Sequence, residues 1–278
     1  MRSSALIEAR APKQSTKKTA PLVLFTGGKG GVGKSTLTAD LGVHLAGQGK
    51  RVLLVDFDLG LANLDVLLRL TATNNMEDAL AGRCAFEDCV VTGPCGVKVL
   101  PAGSGNIEMG LPDTQRREVL LAAVRELAAD YDLVIGDSGA GIGHDALAFA
   151  AEADHVFVVT TPSPVALTDA YGFIKALDTW SCKMDMEVPT PELVINRVSG
   201  IEQAESTAKR LQKVCERFLC RRPRSAGWVP FSAETPVTRW AFNRSSLGGP
   251  KSLYHNCLCR LGVRVSRLLA STSQRLES

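Results

Sequence analysis

The segment Leu22–Thr26 is short and almost wholly apolar, and it runs directly into Gly27-Gly28-Lys29-Gly30-Gly31-Val32-Gly33-Lys34-Ser35-Thr36. From Lys34 the period changes. Leu37, Leu41 and Leu45 recur at i, i+4 and i+8 until Gly47 and Gly49 stop the pattern, which predicts a helix over 34–46. A buried strand, a glycine loop and a helix in immediate succession leave few folds open. Within the loop, Gly28 to Ser35 fits G-x-x-x-x-G-K-[ST]. Glycines let backbone N–H groups converge on a phosphate, and the helix N-terminus adds its positive dipole end. Lys34 adds a point charge, and the Ser35 hydroxyl suits Mg2+. Gly28, Lys29, Gly30, Gly31, Val32, Gly33, Lys34, Ser35 and Thr36 are the expected nucleotide cradle. An ordinary glycine-rich turn needs neither the strand before it nor the helix after it.

The same rhythm continues along the chain. Apolar runs at Arg51–Asp56, Val97–Leu100, Leu133–Asp137, Val156–Thr161, Leu193–Asn196 and Gly227–Pro230 read as further buried strands. Amphipathic stretches separate them, among them Thr114–Ala129 with Val119, Leu120, Ala123, Val124 and Leu127 on one face. Alternating strands and helices predict an α/β fold: one domain, a mostly parallel twisted sheet with helices on both faces. No internal repeat or linker-like change of composition divides the chain. The expected organisation is a flexible basic tail over 1–20, a nucleotide domain over 21–254 and an amphipathic helix over 255–278. The tail has no apolar core of a signal peptide, and no run approaches the roughly 18 apolar residues of a spanning helix. A cytoplasmic location is expected.

A second lysine, Lys29, shares the loop with Lys34. Two like charges at one phosphate repel, so the natural target of Lys29 is a phosphate in another subunit, in the manner of an arginine finger supplied in trans. Asp56 and Asp58 stand at the carboxyl end of a predicted strand, the edge where open α/β sheets bind ligands. By their chemistry one can hold metal-bound water and the other can orient an attacking water. Asp137 ends the run Leu133–Ile135 and suits Mg2+ through water. Gly139, Gly141 and Gly143 after it make a loop able to respond to a γ-phosphate.

The loop resembles K-G-G-x-G-K-[ST] of the ParA/MinD (deviant Walker A) ATPases. The stretch Val52–Asp65 is similar to their second motif and first switch, and Tyr131–Ile142 to their Walker B strand and second switch. Thr160-Thr161-Pro162-Ser163-Pro164, Thr168–Tyr171, Val194–Val198 and Pro101–Gly105 most resemble the branch of flagellar-number regulators called FlhG or FleN. The resemblance spans about residues 21–235. It implies a Mg2+-dependent ATP hydrolase with ATP and Mg2+ as ligands, and an ATP-bound homodimer reset by hydrolysis. It further implies spatial or numerical control of flagella or of another polar or division structure. Lys29, Lys34 and Asp58 become catalytic, with Asp58 positioning the nucleophile, and Ser35, Asp56 and Asp137 hold the metal, Asp56 in its outer shell. Asn196 and Arg197 with Pro230 bind the base. A partner GTPase of the FlhF type or a flagellar switch protein is also implied, but the tail Met1–Ala20 lacks the D-Q-A-x-x-L-R element that stimulates such a GTPase.

Other features compete for a role. Leu258, Leu261, Val265, Leu268 and Leu269 fall near one helical face with Arg260, Arg264, Arg267 and Arg275 on the other. Such a helix can lie on an anionic membrane, giving peripheral attachment at the inner face, or pack as the last helix of the domain. Lys209, Arg210, Lys213, Arg217, Arg221, Arg222 and Arg224 are interleaved with Glu202, Glu205 and Glu216, as on a solvated face; a DNA-partition ATPase would use such a patch. A net charge of +3 is too small to diagnose nucleic-acid binding, which only local clusters could, and 5% aromatics argue against a carbohydrate or stacking surface. Eight cysteines include no C-x-x-C, so an iron–sulfur carrier is the weakest reading and free thiols the expected one. His44, His144, His155 and His255 are scattered and receive no role.

Overall fold

A computed structural model of the chain describes residues 19–60, 62–103, 113–219, 221–232 and 252–275. Nearly all of the expected basic tail lies outside these residues. The strands are β1 (Leu22–Thr26), β2 (Val52–Phe57), β3 (Val91–Thr92), β4 (Lys98–Leu100), β5 (Leu133–Ser138), β6 (His155–Thr160), β7 (Glu192–Val198) and β8 (Arg224–Pro230). They form an eight-stranded sheet in the order β3-β4-β2-β5-β1-β6-β7-β8. Only β3 runs antiparallel, against β4. Two residues are too few to leave a periodic trace, so the sequence did not announce this edge strand.

Helices α1 (Lys34–Gly47), α2 (Leu64–Leu68), α3 (Met76–Leu80), α4 (Asp113–Leu127), α5 (His144–Glu152), α6 (Pro164–Met184), α7 (Ile201–Leu219) and α8 (Leu253–Arg275) cover both faces. Alternation along β1 divides the core. Leu22 and Leu24 join residues of α4, α5, α6 and α7, whereas Val23 and Phe25 join α1 and α8. This is the single α/β domain that the sequence rhythm predicted.

Helix α1 is buried at every position from Leu37 to Ala46, which an amphipathic surface helix cannot be. The sheet takes one side; a Cβ on Gly42 would stand 2.5 Å from Leu54. Helix α8 takes the other. Leu258, Leu261 and Val265 are at most 2% exposed and belong to the same cluster as Leu41 and Leu45. Gly262, a weak helix former in isolation, permits the approach: its missing Cβ would lie 3.2 Å from Leu45 and 3.5 Å from His44. The Tyr254 hydroxyl donates to buried Asp40 of α1 at 2.5 Å. Arg264, expected on the solvated side, instead forms a two-pronged pair with Glu192 of β7 at 2.9 and 2.6 Å.

The expected boundary at 254/255 is therefore not a seam between bodies, because α8 is core. Uncovering Leu258, Leu261 and Val265 alone would cost on the order of 5–9 kcal/mol at about 1.5–3 kcal/mol per side chain. Among the described residues, no helix is long and apolar enough to cross a membrane.

Candidate nucleotide site

Strand β1 lies between β5 and β6, so the loop that follows it opens at the centre of the carboxyl edge. Gly31 and Gly33 take φ of 76° and 91°, a left-handed backbone that turns successive N–H groups inward. Gly33 is the N-cap of α1. Gly28 passes so near α6 that a Cβ would fall 1.9 Å from the Asp169 carbonyl oxygen, leaving room for glycine alone. Lys34 is buried and folds its stem back over Gly27, its Cδ 3.3 Å from where a Cβ would stand. Lys29 is exposed. One loop therefore holds one lysine in and one out.

The acids converge from neighbouring strands, with Asp56 and Asp137 register partners in β2 and β5. Asp137 is 1% exposed; Thr38 reaches its Oδ1 at 3.5 Å, and its Oδ2 is buried without a hydrogen-bond partner. Burial pushes its pKa up to about 7, against the Ser35 hydrogen bond, with Asp56 adding to the rise and Lys34 opposing it. Asp56 is pushed up to about 6, again chiefly by burial. Its oxygens accept from the backbone N–H groups of Asp58 (3.1 Å), Asn63 (2.8 Å) and Leu64 (3.0 Å), so it pins the first switch segment to the sheet. Holding that segment is the work the geometry gives Asp56. The Asp58 carboxyl lies over Gly139, 3.5 Å from its missing Cβ. Gly141, at φ 92°, donates its N–H to the Gly27 carbonyl at 3.1 Å, tying the second switch to the phosphate loop.

Comparison with known proteins agrees with this geometry. The AAA domain family (AAA_31) matches residues 21–188. The antiactivator FleN of Pseudomonas aeruginosa is 35% identical over 210 residues, covering 76% of this chain and 73% of its own. The chain belongs to the ParA/MinD family of ATPases. The flagellum site-determining protein YlxH of Helicobacter pylori is 34% identical over 218 residues, covering 77% of this chain and 71% of its own. In fold, the septum site-determining protein MinD of Pyrococcus horikoshii, solved with Mg-ADP, has a TM-score of 0.67 at 22% identity, covering 90% of this chain and 97% of that one.

ATP and Mg2+ are the ligands expected of a ParA/MinD ATPase, and Mg-ADP is the ligand named for the Pyrococcus horikoshii protein. The residues present fit the ion: a buried carboxylate oxygen with no partner, Asp137 Oδ2, stands in the same site as the Ser35 hydroxyl. Bound there, Mg2+ would neutralise phosphate charge.

The residues expected at the base sit on β7 and at the end of β8. Asn196 sits behind the phosphate loop, donating from Nδ2 to the Val32 carbonyl at 2.8 Å while its Oδ1 accepts from Arg197 N–H at 2.9 Å. In this structure it buttresses the loop. Arg197 has φ 58°, and the register with β8 shifts between Asn196 and Val198. This is a bulge that turns Arg197 outward, its Nε 3.9 Å from the missing Cβ of Gly33. Pro230 pairs opposite Val198, and Phe231 beyond it is 71% exposed. Sequence reasoning missed Thr38 and the amides of Asn63 and Leu64. Thr38 lies one turn beyond Lys34 on the helix that the loop opens, and that spacing was the available signal.

Proposed function

We propose that this chain is a regulatory ATPase that closes into a homodimer around ATP and is reset by hydrolysis. The observation that carries the reading is the split pair of lysines. Lys34 is folded into its own loop while Lys29 stands exposed, which supports a target for Lys29 on a phosphate bound by a second copy. In the closed dimer Asp58 orients the attacking water, Lys34 and the loop amides hold the phosphates, and Lys29 of the partner copy balances charge developing on the leaving oxygens. Asp58 and Gly141 link the first and second switches to that event through Gly139 and Gly27. Adenine binding is assigned to Asn196, Arg197 and Pro230, with Phe231 beside them.

The name of YlxH, a flagellum site-determining protein, supports control of flagellar assembly as the output, and that of FleN, an antiactivator, supports a regulatory role. A GTPase or flagellar switch protein is the partner in this reading. Membrane contact at the inner face belongs to the same proposal in a restricted form. With the apolar face of α8 in the core, Arg260 and Arg267, both exposed, are the groups offered to anionic lipid. Cutting the chain before Leu258 would remove core residues, so charge reversal of Arg260 and Arg267 is the cleaner liposome test. The DNA-partition reading finds less support, since Lys209 pairs with Glu205 and Arg221 with Asp178.

Light scattering of Asp58→Ala and Lys29→Ala with Mg-ATP tests the switch. Asp58→Ala should accumulate as an ATP-bound dimer, and Lys29→Ala should lose hydrolysis while still binding ATP. An Asp58→Ala chain that binds ATP and stays monomeric overturns the mechanism.

A further inference from the structure

The four histidines and eight cysteines look scattered in sequence. The fold brings three of them together away from the nucleotide site. His44 lies in the last turn of α1, and His255 and Cys259 stand one turn apart on α8. One ligand atom from each residue lies within 4.8 Å of the others, with His44 buried and the other two half-buried. The two imidazoles meet edge to face, centroids 5.4 Å apart. Spacing i, i+4 puts His255 and Cys259 on one helix face, the same device by which paired histidines hold zinc on a helix.

We propose that His44, His255 and Cys259 form a Zn2+ site that clasps α8 to α1, with the fourth position open to water. Two imidazole nitrogens and a sulfur, with no carboxylate in the group, are the donor set of a borderline-soft cation and a poor one for Mg2+ or Ca2+. In a tetrahedron with ordinary Zn–N and Zn–S bonds, ligand atoms stand about 3.3–3.6 Å apart. The ligand atoms therefore need to close by at most about 1.2–1.5 Å, a distance within reach of side-chain rotation. Gly262 fixes the helix separation beside the site through its contact with His44 and Leu45. Tyr254 bonded to Asp40 fixes it on the other side. Gln48 Nε2 lies 3.1 Å from His44 Nε2; with the amide turned so that its Oε1 accepts from Nε2–H, Gln48 would be the outer partner that leaves Nδ1 for the ion.

The ion would sit at the far end of the helix whose first turn forms the phosphate loop, and it would join that helix to α8. It would strengthen the docking of α8 without touching the nucleotide. The proposal stands whether or not the ATPase reading holds.

The test uses the full chain, stripped with chelator and titrated with Zn2+ alone, and with Co2+ as a spectroscopic stand-in. We expect one equivalent bound, Co2+ spectra with tetrahedral visible bands and a thiolate charge-transfer band, and a raised Tm with Zn2+. Cys259→Ser should abolish the thiolate band, and His255→Gln should weaken Zn2+ binding by at least about 100-fold, since even outer-shell losses cost about 10–100-fold. Cys84→Ser and Cys95→Ser should change neither. Circular dichroism of the stripped variants separates lost ligation from lost fold. Failure of the folded wild-type chain to hold Zn2+ more tightly than the His255→Gln/Cys259→Ser double variant overturns the site. So does a thiolate band that survives Cys259→Ser.

Discussion

Leu258→Ala is the substitution that most directly asks whether α8 is core or appendage. Leu258 is fully buried, in one cluster with Leu41, Leu45 and Leu54. Truncating such a leucine costs about 2–5 kcal/mol, the lost transfer energy plus the cavity that remains. The upper half of that range applies, because Tyr254–Asp40 and Arg264–Glu192 pin α8 on either side and keep it from collapsing into the gap. For a domain of this size each kcal/mol lowers Tm by about 2–4 °C, so the fall should be roughly 7–20 °C. Arg260→Ala, at an exposed position on the same helix, should stay within about 0.5 kcal/mol. Thermal melts of the nucleotide-free chain, followed by circular dichroism, read both. If Leu258→Ala melts within 1 °C of the parent, the apolar face of α8 is not in the core in solution, and the burial argument fails.

Gly28→Ala should lower nucleotide affinity by at least about tenfold, because its Cβ would meet the Asp169 backbone at 1.9 Å and the loop must shift; unchanged binding by calorimetry refutes the close approach. Asp137 and Asp56 are raised from 3.8 to about 7 and about 6, so the folded chain holds protons that the unfolded chain has released. Stability from these groups is therefore fully present below about pH 4 and is lost as pH rises to about 7; for Asp137 the loss is a few kcal/mol at most. Melts across that window in the absence of nucleotide should show the slope, reduced in Asp137→Asn; a slope unchanged in that variant counts against the assignment. Arg264→Ala leaves the buried Glu192 carboxylate without its cation and should cost about 1–3 kcal/mol, discounted because Arg264 is 32% exposed. A double-mutant cycle with Glu192→Gln that shows no coupling would remove the pair from the account.

The local sequence determined a good deal. Leu22–Thr26 and Lys34–Gly47 were legible because period and glycine punctuation are short-range properties, and the loop between them names its own ligand chemistry. The acids Asp56 and Asp137 were found because strand ends are visible as the last residue of an apolar run. The sequence could not say that these two carboxylates are register partners, since that depends on β5 slotting between β1 and β2. It gave no sign that the Asn196 amide also holds Val32, a contact across 164 residues.

Helix α8 shows the division most clearly. Its stripe of leucines and arginines fits a membrane surface or a domain core equally well, because amphipathicity specifies an apolar partner without naming it. The decision lay in α1, whose unbroken burial demands a second cover, and in Gly262, which lets the two helices close. Only that packing brings His44 to His255 and Cys259, and turns Arg264 from solvent to Glu192. Periodicity fixes what each helix must bury, but long-range packing alone chooses against what.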